Sequence, residues 1–302
     1  MREAMFWETV GSTEENERRR VRCRLCPHEC VIAPGSRGKC HVRLNRGGTL
    51  FAEAWGIVPA LALDPIEKKP LNRFHPGSYI LSAGGYGCNL SCLFCQNHGI
   101  SQRGLDPFNH SGDEPAGDRR VLPEDLVNEA LALRDEGNIG IAFTYNEPLI
   151  GYEYVWDTAR LAKEKGLLTV LVTNGYVNAS PLQRLLPYID AMNVDLKAFS
   201  DSFYRELCGG SLKPVLETVR AAADACHVEI TTLVIPGENS SAEEIDALSR
   251  WIASVNPGIP LHLNRHHPDY LMSEPPPIDR DSLFHLAEVS RRSLSHVYAG
   301  NL

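Results

Sequence analysis

"YILSAGGYGCNLSCLFCQN", residues 79–97, opens on a short apolar run, passes Gly84, Gly85 and Gly87, and ends in three cysteines. The apolar run predicts a strand, and the glycines allow the chain leaving it to wrap close to a bulky group. Cys88, Cys92 and Cys95 follow at C-x3-C-x2-C spacing, with no fourth cysteine nearby. An inert metal site closes itself with four protein ligands. Three thiolates instead hold three irons of a four-iron, four-sulfur cluster and leave the fourth open to an outside ligand. A zinc knuckle that borrows Cys208, Cys226 or His98, or a set of buried free thiols, is the plainer alternative.

Beyond this strand, short apolar runs alternate with amphipathic stretches. The runs are "YILSAGG", "IGIAFTY", "LLTVLVTN", "IDAMNVDL", "VEITTLVIP" and "PLHLNR", and helices are expected over 123–136, 149–166, 213–225 and 241–255. Pro123 starts one helix, Gly166 ends another, and Ser240 or Ser241 caps a third. Such alternation predicts an α/β fold with a parallel sheet and outer helices. Six runs are too few for a closed eight-stranded barrel, so a partial (β/α)6 TIM-like barrel over 76–302 is expected. An open doubly wound sheet is the alternative, and both put function at the C-terminal strand ends. Residues 1–75 form a Cys-, Arg-, Gly- and Pro-rich metal-binding module with one strand at "TLFAEAWG".

The 302 residues are 43% hydrophobic and carry a net charge of −8. That acidic balance argues against nucleic-acid binding, and "ERRRVRCR" at 17–24 reads as a solvated basic stretch. No apolar run approaches the ~20 residues of a membrane helix. The N-terminus also lacks the apolar core of a secretory signal. A cytoplasmic location with no membrane partner is expected. Nine cysteines, an odd number, suit thiolate chemistry better than a disulfide framework.

With Phe94 before its last cysteine, the loop reads C-x3-C-x-Φ-C and resembles the radical S-adenosylmethionine (SAM) superfamily. The resemblance implies that the open iron chelates the amino and carboxylate groups of SAM. An electron from the cluster then gives methionine and a 5′-deoxyadenosyl radical. It runs from about Cys23 to Asn301 and is nearest to pyruvate formate-lyase-activating-enzyme-like proteins. Within these, "CRLCPHEC", "DPIEKKPL", "HPGS", "GCNLSCLFCQN" and "VYAGNL" resemble the radical SAM component of the AmmeMemoRadiSam system.

The same resemblance implies SAM contacts from later strand ends. "TYNEP" at 144–148 stands where the family has G-G-E-P, so Tyr145 and Asn146 replace glycines while Glu147 and Pro148 match. "VTNG" offers Thr173 and Asn174, and "VDLK" places Asp195 and Lys197 in the activases' D-x-K pattern. Thr231 stands where the activases carry an arginine, and "NRHHP" offers His266 or His267 to the ribose or a proton. An electron donor such as flavodoxin or ferredoxin is implied. So is hydrogen abstraction from a separate substrate, either a glycyl radical enzyme or a small metabolite.

Cys23, Cys26, Cys30 and Cys40 make a second set, C-x2-C-x3-C-x9-C. Four thiolates on a small loop-rich segment suit structural zinc or an auxiliary iron–sulfur cluster. His28 and His41 are substitute ligands. "DPIEKKPLNRFHP", at 64–76, is a linker or a lid that brings Lys68 and Lys69 to an anion. The rival from another class is a zinc-ribbon nucleic-acid-binding protein, and its acidic charge counts against it.

Overall fold

The computed structural model describes residues 1–11, 19–102 and 119–302. Its centre is an eight-stranded sheet. Parallel strands follow one another in chain order: Tyr79–Gly84, Asn138–Phe143, Leu168–Thr173, Ala191–Asp195, His227–Val234, Leu261–Arg265 and Val297–Gly300. Ala60–Pro65 pairs antiparallel with the first of these. It and Val297–Gly300 form the two edges, so the barrel is partial, as expected.

Two strands go beyond the six runs read from sequence. Val297–Gly300 is only four residues long, and Ala60–Pro65 lies in the segment assigned to the N-terminal module. The barrel sheet therefore takes in residues from both segments.

Four helices fall where expected: Pro123–Ala132, Tyr152–Glu164, Leu212–Ala223 and Ala242–Val255. Ser241 is the N-cap of the last, its Oγ accepting the Glu244 N–H at 3.1 Å. Buried faces of these helices meet one side of the sheet in a continuous core that includes Leu126, Val155, Val219 and Leu248. Val21, Leu25, Ile32 and Leu50 of the N-terminal segment belong to the same core. A buried ion pair, Arg43–Glu153 at 2.8 Å, ties that segment to the helix Tyr152–Glu164.

The other side of the sheet is filled at its N-terminal half. Ile80, Ala142, Val170 and Ala191 from successive strands pack on Ile66 and Leu71. The stretch 64–76 is thus a plug rather than a loose linker. Buried Glu229 fastens it, accepting the N–H groups of Asn72 at 3.0 Å and Arg73 at 2.7 Å. His227 and His262 ring nitrogens lie 2.9 and 2.6 Å from the same carboxylate. Open space then remains at the C-terminal strand ends.

Of the basic stretch 17–24, Glu17 and Arg18 lie outside the described residues. Arg24 pairs with Glu8 and Glu29, each at 2.6 Å, so its charge is spent locally. Among the described residues, no helix is long and apolar enough to cross a membrane.

Candidate active site

The loop leaving the first parallel strand carries Cys88, Cys92 and Cys95 into a cavity of ≈ 330 Å3 at the C-terminal strand ends. Backbone bonds shape this loop: Ser91 N to Cys208 O at 2.8 Å, and Gly87 N to Ile100 O at 2.9 Å. Asn146 clamps it further. Its Oδ1 accepts Gly85 N–H at 2.9 Å, and its Nδ2 donates to Tyr86 O and Gly87 O at 3.2 and 3.1 Å. The side chain that replaces a family glycine here orders the cysteine loop, since its own polar atoms are already engaged.

Tyr145, the other replacement, keeps a backbone that a glycine would adopt freely, with φ 70°. Its ring fills the cavity wall, its hydroxyl donates to Asp64 at 2.6 Å, and Lys69 Nζ lies 4.6 Å over its face. Lys69 also donates to Asp64 at 2.8 Å. Burial opposes the Asp64 charge, but Lys69 and Tyr145 outweigh it and hold the carboxyl down at about 2. Lys68 and Lys69 do reach the cavity, Lys69 already paired.

Each sulfur of the loop has a polar neighbour. Cys88 Sγ accepts Leu90 N–H at 3.3 Å and Asn174 Nδ2 at 3.5 Å, and Cys95 Sγ lies 3.0 Å from Ser101 Oγ. Cys92 meets Cys208, whose thiol hydrogen bond pulls the Cys92 thiol below its ordinary range. Burial, first of all, pushes Cys88 and Cys95 upward as free thiols.

The later strand ends line the same cavity. Glu147 is buried and takes three protein donors: Leu149 N at 2.9 Å, Thr173 Oγ1 at 2.8 Å and Asn174 N at 2.7 Å. Burial nevertheless pushes its carboxyl up to about 7. Lys197 Nζ sits 3.0 Å from Asp195 and 5.9 Å from the Phe94 ring centre. Its ammonium is raised well above the usual lysine range: burial opposes the charge, but Asp195 and the sulfurs of Cys92 and Cys208 favour it more. Thr231, beside Asp195 in register, also lines the cavity, and its buried hydroxyl has no partner among the described residues.

The histidines go elsewhere. His266 and His267 follow the strand Leu261–Arg265 and line an adjoining depression, not this cavity. His266 is buried with both ring nitrogens unpartnered among the described residues, and His267 is exposed with Nδ1 3.0 Å from Pro268 O. Asn264 and Asn301 occupy the cavity wall instead. Sequence reasoning missed both asparagines, along with Asn89 and the contact of Cys208 with Cys92. The terminal "VYAGNL", which holds Asn301, was the available signal for that residue.

A cavity of this size lined by three cysteines, a lysine–aspartate pair and an unsatisfied hydroxyl fits a cluster with a charged, hydroxyl-bearing cosubstrate. The comparisons agree. The radical SAM superfamily model matches residues 83–251. The chain belongs to this superfamily. Over its full length it is 38% identical to an uncharacterized protein of Methanocaldococcus jannaschii, spanning 86% of that protein. It is 30% identical over 179 residues to the pyruvate formate-lyase 1-activating enzyme of Escherichia coli K12, covering 56% of this chain and 68% of that enzyme. In fold it is similar to Streptococcus suis SuiB bound to S-adenosylmethionine. That match has a TM-score of 0.54 at 18% identity and covers 72% of this chain and 48% of SuiB. A radical SAM methyltransferase from Sphaerobacter thermophilus gives a TM-score of 0.54 at 17% identity, covering 75% of this chain and 67% of that one. The protein is accordingly a radical SAM enzyme whose cofactors are a four-iron, four-sulfur cluster and SAM.

Proposed function

We propose that Cys88, Cys92 and Cys95 hold the cluster and that SAM lies across the strand ends beside them. The placing of all three cysteines in one cavity with Asp195 and Lys197 carries this reading. When bound, the cluster supplies the electron that splits SAM into methionine and a 5′-deoxyadenosyl radical. This chain's own residues bind and orient. Lys197 offers its ammonium to the SAM carboxylate. Glu147 and Asp195 face the SAM ammonium, and the free hydroxyl of Thr231 takes a polar group that an arginine contacts in the activases.

With cluster and SAM bound, the site would serve hydrogen abstraction from a separate substrate, the electron coming from a donor of the flavodoxin or ferredoxin class. A glycine of a glycyl radical enzyme is the leading substrate, supported by the 30% identity to a pyruvate formate-lyase 1-activating enzyme. Lys68, Lys69 and Tyr145 at the cavity wall favour a second reading, a small anionic metabolite. Deuterium-labelled candidates separate the two. Label from a partner glycine appearing in 5′-deoxyadenosine supports the first reading, and label from a small acid, with none from any protein, replaces it with the second.

A further inference from the structure

The depression that takes in His266 is a space of its own, with a volume of ≈ 380 Å3. Gln96, the residue after Cys95, and Asn301 line both it and the cavity of the three cysteines. The two spaces meet at these side chains.

Arg265 ends the strand Leu261–Arg265 and lines the depression half-buried. Its Nε donates to Ile278 O at 2.8 Å, and no carboxylate pairs with it among the described residues. Sheltered arginines elsewhere in the fold are paired, Arg43 with Glu153 and Arg37 with Glu53. The bond from Nε fixes the plane of the Arg265 guanidinium and leaves its two terminal nitrogens for a ligand. Such a fork matches the paired oxygens of a carboxylate or phosphate.

His266, the next residue, lines the same depression, is 1% exposed, and has no partner for either ring nitrogen among the described residues. Burial first, and then His267, hold it below the ordinary histidine range. Near neutrality the ring therefore offers one N–H and one lone pair. A buried ring with neither engaged calls for a polar group from outside the chain.

Asp269 also lines the depression, and its charge is answered at the rim. Its Oδ1 accepts Tyr270 N–H at 2.7 Å and lies 3.9 Å from His98 Nδ1. The rim is tied to the cysteine loop, since Leu271 N–H bonds Leu93 O at 3.0 Å and His98 stacks on Tyr270 at 4.7 Å. The depression is thus shaped by contacts already in place.

We propose that this depression holds the anionic end, a carboxylate or phosphate, of the substrate that reacts in the cavity, with Arg265 as its two-pronged donor. The inference rests on the reading of that cavity as the seat of cluster and SAM. SAM does not supply this anion, because its one carboxylate is met by Lys197. The substrate is a small acid or phosphate ester that reaches past Gln96 and Asn301, which gives the second reading above a place for its charge.

Isothermal titration of anaerobically reconstituted full-length protein with inorganic phosphate and, separately, with acetate tests the site. At least one anion should bind saturably, and the tighter of the two tells a phosphate ester from a carboxylic acid. Arg265→Ala should weaken that binding about tenfold or more. Arg265→Lys keeps the charge and loses the fork, so its affinity should fall between the two, and it decides alone if Arg265→Ala does not fold. No saturable binding of either anion, or wild-type affinity in a folded Arg265 variant, overturns the proposal. SAM should leave the anion affinity unchanged, and displacement of the anion by SAM would make the depression part of the SAM site and overturn it. Failure of the cavity reading looks different: SAM then does not bind, while Arg265-dependent anion binding persists.

Discussion

The carboxylate of Glu147 accepts the hydroxyl of Thr173 at 2.8 Å, joining the ends of the second and third parallel strands inside the cavity. The same carboxylate takes the backbone of Asn174 and Leu149, so it braces the site as well as facing it.

Glu147→Ala should therefore weaken both fold and SAM binding. Three buried donors lose their acceptor, at about 1–3 kcal/mol for each group left unsatisfied. Glu147→Gln keeps one acceptor oxygen and should recover part of that stability without recovering SAM affinity. Thermal melts of the three proteins with and without SAM are the check. An unchanged melting temperature in Glu147→Ala would show that the brace is not structural.

Lys197→Ala should lower SAM affinity about tenfold to a hundredfold, the worth of one charge-assisted contact of roughly 1.5–3 kcal/mol. It also strands Asp195, its partner at 3.0 Å. Adding Asp195→Ala should recover stability while deepening the SAM defect, since Asp195 faces the SAM ammonium, a separation that a double-mutant cycle measures. Full SAM affinity in Lys197→Ala would disprove the contact.

Cys208 is fully buried against Cys92, and burial pushes its own thiol upward while its hydrogen bond pulls Cys92 down. Cys208→Ala should keep the iron bound at the loop while shifting the EPR signal and reduction potential of the loop's cluster. Loss of about four irons on that substitution would make Cys208 a ligand.

Glu229 supports the plug beneath the cavity, and its carboxyl lies well below the ordinary 4.5, at about 2. Burial works against this charge, and hydrogen bonds from His227, His262 and Arg73 outweigh it. A carboxyl depressed in the fold contributes stability that is present above pH 4.5 and is lost as pH falls toward 2. Glu229→Gln should cost about 1.5–3 kcal/mol near neutrality and flatten that acid dependence. Unfolding midpoints between pH 6 and pH 3 for both proteins give the answer, and parallel curves would remove Glu229 from the account.

The order of strands and helices was legible in the sequence, because a parallel sheet with outer helices imposes apolar runs of one length and amphipathic runs of another. "YILSAGG" and "LLTVLVTN" are found within a residue or two of Tyr79–Gly84 and Leu168–Thr173. Short edge strands carry less of that signal. Val297–Gly300 has four residues and half-buried sides, so no periodicity identified it.

The three-cysteine loop was equally legible, since its ligands lie within eight residues and their spacing is a local property. What the distant side chains do was not. Asn146, expected at SAM, lines the cavity and also clamps the cysteine loop through its amide. His266 and His267 looked like site residues and line a neighbouring depression. Their roles depend on where each chain turns after its strand, which is fixed by contacts with residues tens of positions away. Likewise the sequence determined that Cys23, Cys26, Cys30 and Cys40 form a set. Only the tertiary structure put Cys40 against Gly87 and the set beside the radical loop, because that contact is made by packing between segments whose spacing along the chain records nothing about their distance in space.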